Sequence, residues 1–209
     1  RDLERIRDNN LVAMMRALKT QNYGAGALLN VQDQSLRAKT KTIQDFADII
    51  DFSRKIETVR RAVPLDWTDY NGHMNEAKYL QVFGDATDRF MWIVGCDTDY
   101  IATGGSYFTA ETHIRHLDEI HAGTEIWVDT LCLNGQGKKM HVFHELWAKD
   151  PAGARLCATG EHVLIHVSLE TRRPSEPSAE IQRRIAIIEA AHADLPRPDG
   201  IGRYVGAPR

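Results

Sequence analysis

Between Glu76 and Val94, apolar or small side chains recur every three or four residues: Tyr79, Leu80, Phe83, Ala86, Thr87, Phe90, Met91 and Val94. That spacing predicts one long helix. Val82, Trp92 and Ile93 widen its apolar face to most of the circumference. A helix apolar on most sides is buried on most sides. This segment constrains the fold more than any other, because something broad must wrap around it. Gly95 ends it.

The wrapping material follows in sequence. Residues 56–64 read as a strand closing at Pro64. From Tyr107 to Leu117, Phe108, Ala110, Thr112 and Ile114 alternate with Thr109, Glu111, His113 and Arg115, the period-2 pattern of a strand with two distinct faces. Ile126–Leu133 and Lys139–Lys149 are strands joined by the hairpin turn Asn134-Gly135-Gln136-Gly137. On the second of these, Met140, Val142, His144 and Leu146 share a face. Asp150-Pro151-Ala152-Gly153 is another turn. Leu156–Leu169 is a long strand stopped at Thr171-Arg172-Arg173-Pro174, and Ile181–Ala191 is an amphipathic helix. One strand, one buried helix and an antiparallel meander make an α+β fold whose economical packing wraps the sheet around the helix.

The chemistry concentrates where that helix is expected to begin, in Trp67-Thr68-Asp69-Tyr70-Asn71-Gly72-His73-Met74-Asn75. An acid, an amide, a glycine and an imidazole fall within five residues. A helix start offers unpaired N–H groups and a partial positive charge, suited to holding a developing oxyanion. Gly72 lets a substrate approach closely, and the N–H of Gly72 or His73 could meet a carbonyl oxygen. Asp69 could activate water or attack a carbonyl directly. Asn71 could orient the acid or the water, and His73 could share the proton traffic. The alternative is structural: Asp and Asn also cap helices without any chemistry.

The Asp69-x-Asn71-Gly72-His73-Met74-Asn75 run, with the strand–helix–meander order around it, resembles the hotdog-fold thioesterases from about residue 55 to 175. The resemblance implies a hotdog fold and acyl-CoA hydrolysis. Asp69-x-x-Gly72 matches the hydroxybenzoyl-CoA-type branch. Asp69-x-Asn71-x-His73-x-Asn75 is similar to the acyl-carrier-protein thioesterases, and only that branch implies catalytic roles for Asn71 and His73. It also implies a second acid near the end of the strand after the helix. Glu119 stands there, with Glu111 as rival. Trp67, Gly72, Asn75 and Tyr107 are the expected substrate-binding residues.

The opening of the chain reads differently. Leu3, Ile6, Leu11, Met14, Met15 and Leu18 have roughly helical spacing, and Asn22-Tyr23-Gly24-Ala25-Gly26 suits a helix end. This stretch carries too little apolar surface to order itself alone. Arg7-Asp8-Asn9-Asn10-Leu11-Val12-Ala13, Ala17-Leu18-Lys19 and Tyr23-Gly24-Ala25-Gly26 resemble the last helix of carnitine dehydrogenases of the 3-hydroxyacyl-CoA dehydrogenase family. The expectation is a dehydrogenase tail and linker over 1–53 and a hotdog domain over 54–209, in a piece of a longer protein. An ordinary N-terminal helix of a single domain is the other reading. The two resemblances together are similar to the bifunctional carnitine-degrading proteins, which implies betainyl-CoA as substrate. Gly160-Glu161-His162-Val163-Leu164-Ile165-His166-Val167 resembles betainyl-CoA thioesterases. A quaternary ammonium would favour an aromatic wall, for which Trp67 and Tyr107 are the candidates.

Other classes are excluded or unsupported. A net charge of −3 argues against nucleic acid, and no apolar run is long enough for a membrane span. Cys96, Cys132 and Cys157 form no CxxC pattern and suggest reduced thiols in the cytoplasm. His113 with His116, and His141 with His144, are three apart on strands and point to opposite faces; His162 and His166 share a face without a third ligand. No metal site is expected. Lys138-Lys139 and Arg172-Arg173 could meet CoA phosphates or simply be solvated turns. No cofactor is expected beyond the CoA of the substrate, NAD belonging to an upstream domain. A homodimer, or a dimer of dimers, is the expected assembly.

Overall fold

The computed structural model describes residues 50–207. The expected N-terminal helix, the polar stretch after it and the amphipathic segment at residues 43–49 lie outside the described residues. Five strands, β1 (Ile56–Ala62), β2 (Gly105–His116), β3 (Glu125–Asn134), β4 (Lys139–Asp150) and β5 (Gly153–Ser168), form one antiparallel sheet. Their order across it is β1-β3-β4-β5-β2. Helix α1 (Glu76–Ile93) packs on the sheet, mainly against β1, β3 and β5. A short α2 (Thr98–Ala102) precedes β2, and α3 (Ala179–His192) follows β5.

The apolar spacing in α1 translates directly into burial. Its N-terminal half packs Tyr79, Val82, Phe83 and Ala86 against Val59, Val128, Leu146 and Ala158. The C-terminal half packs Phe90, Ile93 and Val94 against Tyr107, Met140, Val142 and Leu164. Leu80 is the exception and stays exposed. Helix α3 adds Ile181, Ile185 and Ile188 to the second cluster, so it closes one end of the core. Its start is capped by the Ser178 hydroxyl, which accepts from Ile181 N–H.

Two close approaches hold helices to the sheet. A Cβ on Gly160 of β5 would come within 2.8 Å of the Phe83 ring on α1. A Cβ on Gly135, in the β3–β4 turn, would collide with Ile185 of α3. Glycine at 160 therefore sets how deeply α1 settles into the sheet.

The expected alternation in β2 is interrupted. Its pairing with β5 shifts register between Thr109 and Glu111, where Ala110 is the extra residue. Such a bulge exchanges the faces beyond it, so Thr112 and Ile114 do not continue the face of Phe108. Helix α2 was not legible in the periodicity. Asp97 caps it by accepting from Asp99 N–H and Tyr100 N–H, at 3.1 and 3.0 Å.

Candidate active site

Helix α1 begins at Glu76, where the spacing predicts it. Asn75 is its N-cap, its side-chain oxygen accepting from Ala77 N–H at 3.0 Å. Asp69 is thus not a helix cap. It opens a tight hairpin in which Asp69 N–H donates to the His73 carbonyl at 2.9 Å, and Gly72 N–H donates to the Asp69 carbonyl at 3.0 Å. Gly72 sits at φ 78°, the left-handed conformation such a three-residue loop requires. Asp69 Oδ1 accepts from Asn71 N–H at 2.8 Å and, at a longer 3.4 Å, from His73 N–H. Gly72 N–H is therefore committed within the loop, and His73 N–H is the more available donor. Oδ2 of Asp69 has no hydrogen bond among the described residues. Asn71 and Gly72 are exposed; Asp69 and His73 are half-buried.

A second loop closes on the first. Residues 117–124 connect β2 to β3, and Met74 N–H donates to the Ile120 carbonyl at 2.7 Å. His73 and His121 form an isolated antiparallel bridge. This pairing brings Glu119 Oε2 to 3.3 Å from His73 Nε2. Arg155 on β5 fixes the loop from behind, donating to the Glu119 carbonyl at 2.7 Å and pairing with Asp118 at 2.6 Å. The Glu119 N–H and Arg155 hold the Asp118 carboxyl below its ordinary range. Asp69, His73, Met74, Glu76, Tyr79 and Glu119 line a pocket of about 300 Å³, with His116 and Asp118 completing it. Burial pushes the Tyr79 phenol up to about 12, so it stays a neutral donor, and its hydroxyl reaches the Asp118 carbonyl at 3.4 Å. Four carboxylates (Asp69, Glu76, Asp118 and Glu119) and two imidazoles (His73 and His116) thus line one small cavity beside the positive end of α1. That set can activate water at a carbonyl and stabilise the oxygen that becomes charged.

Comparison with known proteins places this arrangement in a family. The thioesterase-like superfamily matches residues 63–185, which include both loops, α1 and the whole sheet from β2 to β5. The chain belongs to the thioesterase-like superfamily. A betainyl-CoA thioesterase of Pseudomonas aeruginosa is 37% identical over 157 residues, covering 75% of this chain and 98% of that protein. An L-carnitine dehydrogenase/betainyl-CoA thioesterase of Ruegeria pomeroyi is 60% identical over 208 residues, covering 100% of this chain and 41% of that protein. This chain therefore spans about two fifths of the length of such two-part relatives. Among solved structures, a Pseudomonas putida protein described as a candidate thioesterase is 32% identical, with a TM-score of 0.64 over 74% of this chain and 98% of that one. A Staphylococcus aureus protein solved in complex with CoA shares the fold at 24% identity, with a TM-score of 0.67 over 74% of this chain and 98% of that one.

In this thioesterase-like domain the expected aromatic wall is not assembled. Trp67 is buried in the cluster around the N-terminal half of α1, whereas Tyr107 lies in the cluster around its C-terminal half. The Trp67 ring already carries the Arg61 guanidinium at 4.0 Å, with Lys78 Nζ at 5.3 Å. The ring thus already has two cationic partners within the chain. Tyr107 faces His166, ring centroids 5.1 Å apart, and its hydroxyl has no hydrogen-bond partner among the described residues. Asn75 serves the helix cap, and Glu111 is not among the pocket-lining residues.

The sequence reading passed over Tyr79, which lines the pocket, and over Arg155 and His121, which lie outside its lining and hold the β2–β3 loop in place. His121 follows Glu119 by two residues, the strand-like offset that shares a face, and that signal was available. The other histidines are mostly structural. His144 is fully buried, with Thr130 Oγ1 at 2.8 Å from Nδ1 and Thr87 Oγ1 at 2.9 Å from Nε2. His162 packs 5.1 Å from it, ring to ring, and His141 pairs with Glu161 at 2.8 Å.

Proposed function

We propose that this domain hydrolyses a short-chain acyl-CoA thioester, betainyl-CoA to betaine and CoA. The observation that carries the reading is the convergence of Asp69, His73 and Glu119 on one pocket at the α1 N-terminus, within the span shared with the thioesterase-like superfamily. The names of the Pseudomonas aeruginosa and Ruegeria pomeroyi relatives supply the acyl group. A pocket of about 300 Å³ suits a small acyl chain and leaves the bulk of CoA outside.

In the proposed mechanism the thioester carbonyl enters with its oxygen toward His73 N–H and the first turn of α1. Asp69 Oδ2 either takes a proton from the attacking water or attacks the carbonyl itself, giving an anhydride that water then opens. Asn71 holds Asp69 Oδ1 through its backbone. His73 and Glu119 exchange the proton that ends on the CoA sulfur. Turnover needs no cofactor beyond the CoA of the substrate. Among the described residues no helix is long and apolar enough to cross a membrane. The three cysteines are free and buried, which supports work in a reducing cytoplasm.

The edge strand β2 supports a homodimer. Phe108 through Thr112 is exposed, and Phe108 is 47% exposed. A long unprotected edge is a template for pairing with a second copy. The two-part relatives support an upstream dehydrogenase on the same polypeptide, where NAD would act. A broader short-chain specificity is the second reading, favoured by Arg61 lying over Trp67 where an ammonium would have to sit.

The test is loss of thioester absorbance with betainyl-, acetyl-, hydroxybenzoyl- and long-chain CoA, for wild type beside Asp69→Ala. Preference for betainyl-CoA, abolished by the substitution, supports enzyme, substrate and site. Broad activity lost on substitution keeps the enzyme and discards betaine. No activity on any thioester would leave a non-catalytic dimerisation module.

A further inference from the structure

The two loops at the pocket mouth gather a second constellation, partly shared with the first. Glu119 Oε2 is 3.3 Å from His73 Nε2, and Glu119 Oε1 is 4.0 Å from His121 Nε2. The two imidazole centroids are 4.8 Å apart, and one donor atom from each of His73, Glu119 and His121 lies within 4.8 Å of the others. The sequence reading weighed histidines only in pairs along single strands, so a trio spanning two loops escaped it.

The hydrogen bonding prepares these groups for a cation. His121 Nδ1 lies 3.2 Å from the Gly72 carbonyl. A carbonyl only accepts, so Nδ1 carries the proton and Nε2 presents its lone pair toward Glu119. Fixing one ring nitrogen on a backbone carbonyl while the other faces the metal is the usual outer shell of a metal-binding histidine. Ligand bonds of about 2.0–2.1 Å in a tetrahedron separate neighbouring ligand atoms by about 3.4 Å. The 3.3 and 4.0 Å separations are close to that spacing. Glu119 is 57% exposed and His121 58% on their side chains, so small rotations close the set without breaking any packing. The backbone bridge between residues 73 and 121 keeps the two imidazoles together before any ion arrives. Two neutral imidazoles and one carboxylate favour a borderline ion such as Zn²⁺ over Mg²⁺ or Ca²⁺, which take oxygen ligands. Cys96, Cys132 and Cys157 are all buried and offer no competing thiolate.

We propose that His73, His121 and Glu119 form a binding site for a divalent cation of the zinc class, and that its occupation arrests turnover. The binding stands on geometry alone; the arrest rests on the thioesterase reading, because a bound ion takes the lone pairs that His73 and Glu119 use in it. The ion is thus an inhibitor at the mouth of the site and no part of the reaction.

The test uses the full chain in a non-chelating buffer. Zn²⁺ binding is followed by calorimetry, and Co²⁺ binding by its visible spectrum, for wild type, His121→Gln, Glu119→Gln and His116→Gln. Wild type and His116→Gln are expected to bind one equivalent with matching affinity. His121→Gln and Glu119→Gln each lower the affinity about tenfold or more. Zn²⁺ inhibition, read by thioester absorbance, weakens in step in His121→Gln. Absence of one-equivalent binding in the wild type, or affinity unchanged in both His121→Gln and Glu119→Gln, overturns the site. Binding that follows His121 while wild-type turnover is unaffected keeps the site and overturns the arrest.

Discussion

Glu119 Oε2 stands 3.3 Å from His73 Nε2, although 45 residues of helix and strand separate the two in sequence. The contact exists because backbone bonds zip the Asp69–His73 hairpin to the β2–β3 loop. Glu119→Gln keeps the shape and removes the charge. The Glu119 side chain is 57% exposed and that of His73 34%, so stability should change little. If the carboxylate shares the proton traffic with His73, kcat falls about a hundredfold while the thermal midpoint holds. Steady-state kinetics beside a melting curve checks this, and an unchanged kcat would remove Glu119 from the machinery.

Trp67 divides the structural reading from the sequence reading. An aromatic cage predicts that Trp67→Ala harms betainyl-CoA turnover more than acetyl-CoA turnover. The structure instead places the ring in the core beneath Arg61. Truncating a buried tryptophan costs about 3–5 kcal/mol. The expected outcome is a large drop in the denaturation midpoint and equal fractional losses on both substrates. A selective loss on betainyl-CoA would restore the cage.

Gly160→Ala tests how closely α1 is seated. The added methyl would lie 2.8 Å from Phe83 Cδ2 and 3.1 Å from His162 Nε2. Phe83 is fully buried and cannot swing aside, so the helix itself must shift. Overpacking of this kind costs about 1–3 kcal/mol. The same shift moves the helix entry that shapes the pocket, so KM should rise along with the loss of stability. Chemical denaturation and Michaelis curves on one preparation read both effects.

Much of this architecture was legible because periodicity reports burial. The spacing of Tyr79, Phe83, Ala86 and Phe90 predicts a helix with a broad buried face, and the structure buries all four. Asn134-Gly135-Gln136-Gly137 announces the β3–β4 hairpin. The site was legible as a stretch and not as a geometry. Asp69, Asn71 and Asn75 all suit a helix cap, and only the backbone path shows that Asn75 takes the role. The cation above Trp67 comes from β1, and nothing local in the sequence indicates which arginine covers which ring. His121 joins His73 through a long-range bridge for the same reason. The bulge at Ala110 leaves no mark on an alternating pattern, because the sequence alternates through it.

The buried imidazoles give the fold an acid limit. Thr58 Oγ1 donates to the Val128 carbonyl at 3.3 Å, so it accepts from Thr130 at 2.8 Å. Thr130 then accepts from His144 Nδ1–H, which leaves Nε2 to accept from the Thr87 hydroxyl. A proton added at Nε2 would break this chain, and burial keeps His144 well below its ordinary range. Burial also lowers His162, to about 4. In the unfolded chain both titrate near 6.5, so below that value the unfolded state binds protons that the native state refuses. Stability from His162 is full above about 6.5 and drains away as the pH falls through about 4, by about 3 kcal/mol in all. Asp88 and Asp129, which burial raises to about 6, act in the opposite sense, because the native state holds their protons more tightly. The wild-type slope is therefore a partial cancellation, and the difference against His162→Leu isolates the imidazole. That variant loses the 3.2 Å contact with Thr112 at every pH, a constant offset. Its denaturant midpoint should fall less steeply than the wild type's between pH 7 and pH 5. Parallel curves would mean that His162 is protonated as readily in the fold as out of it.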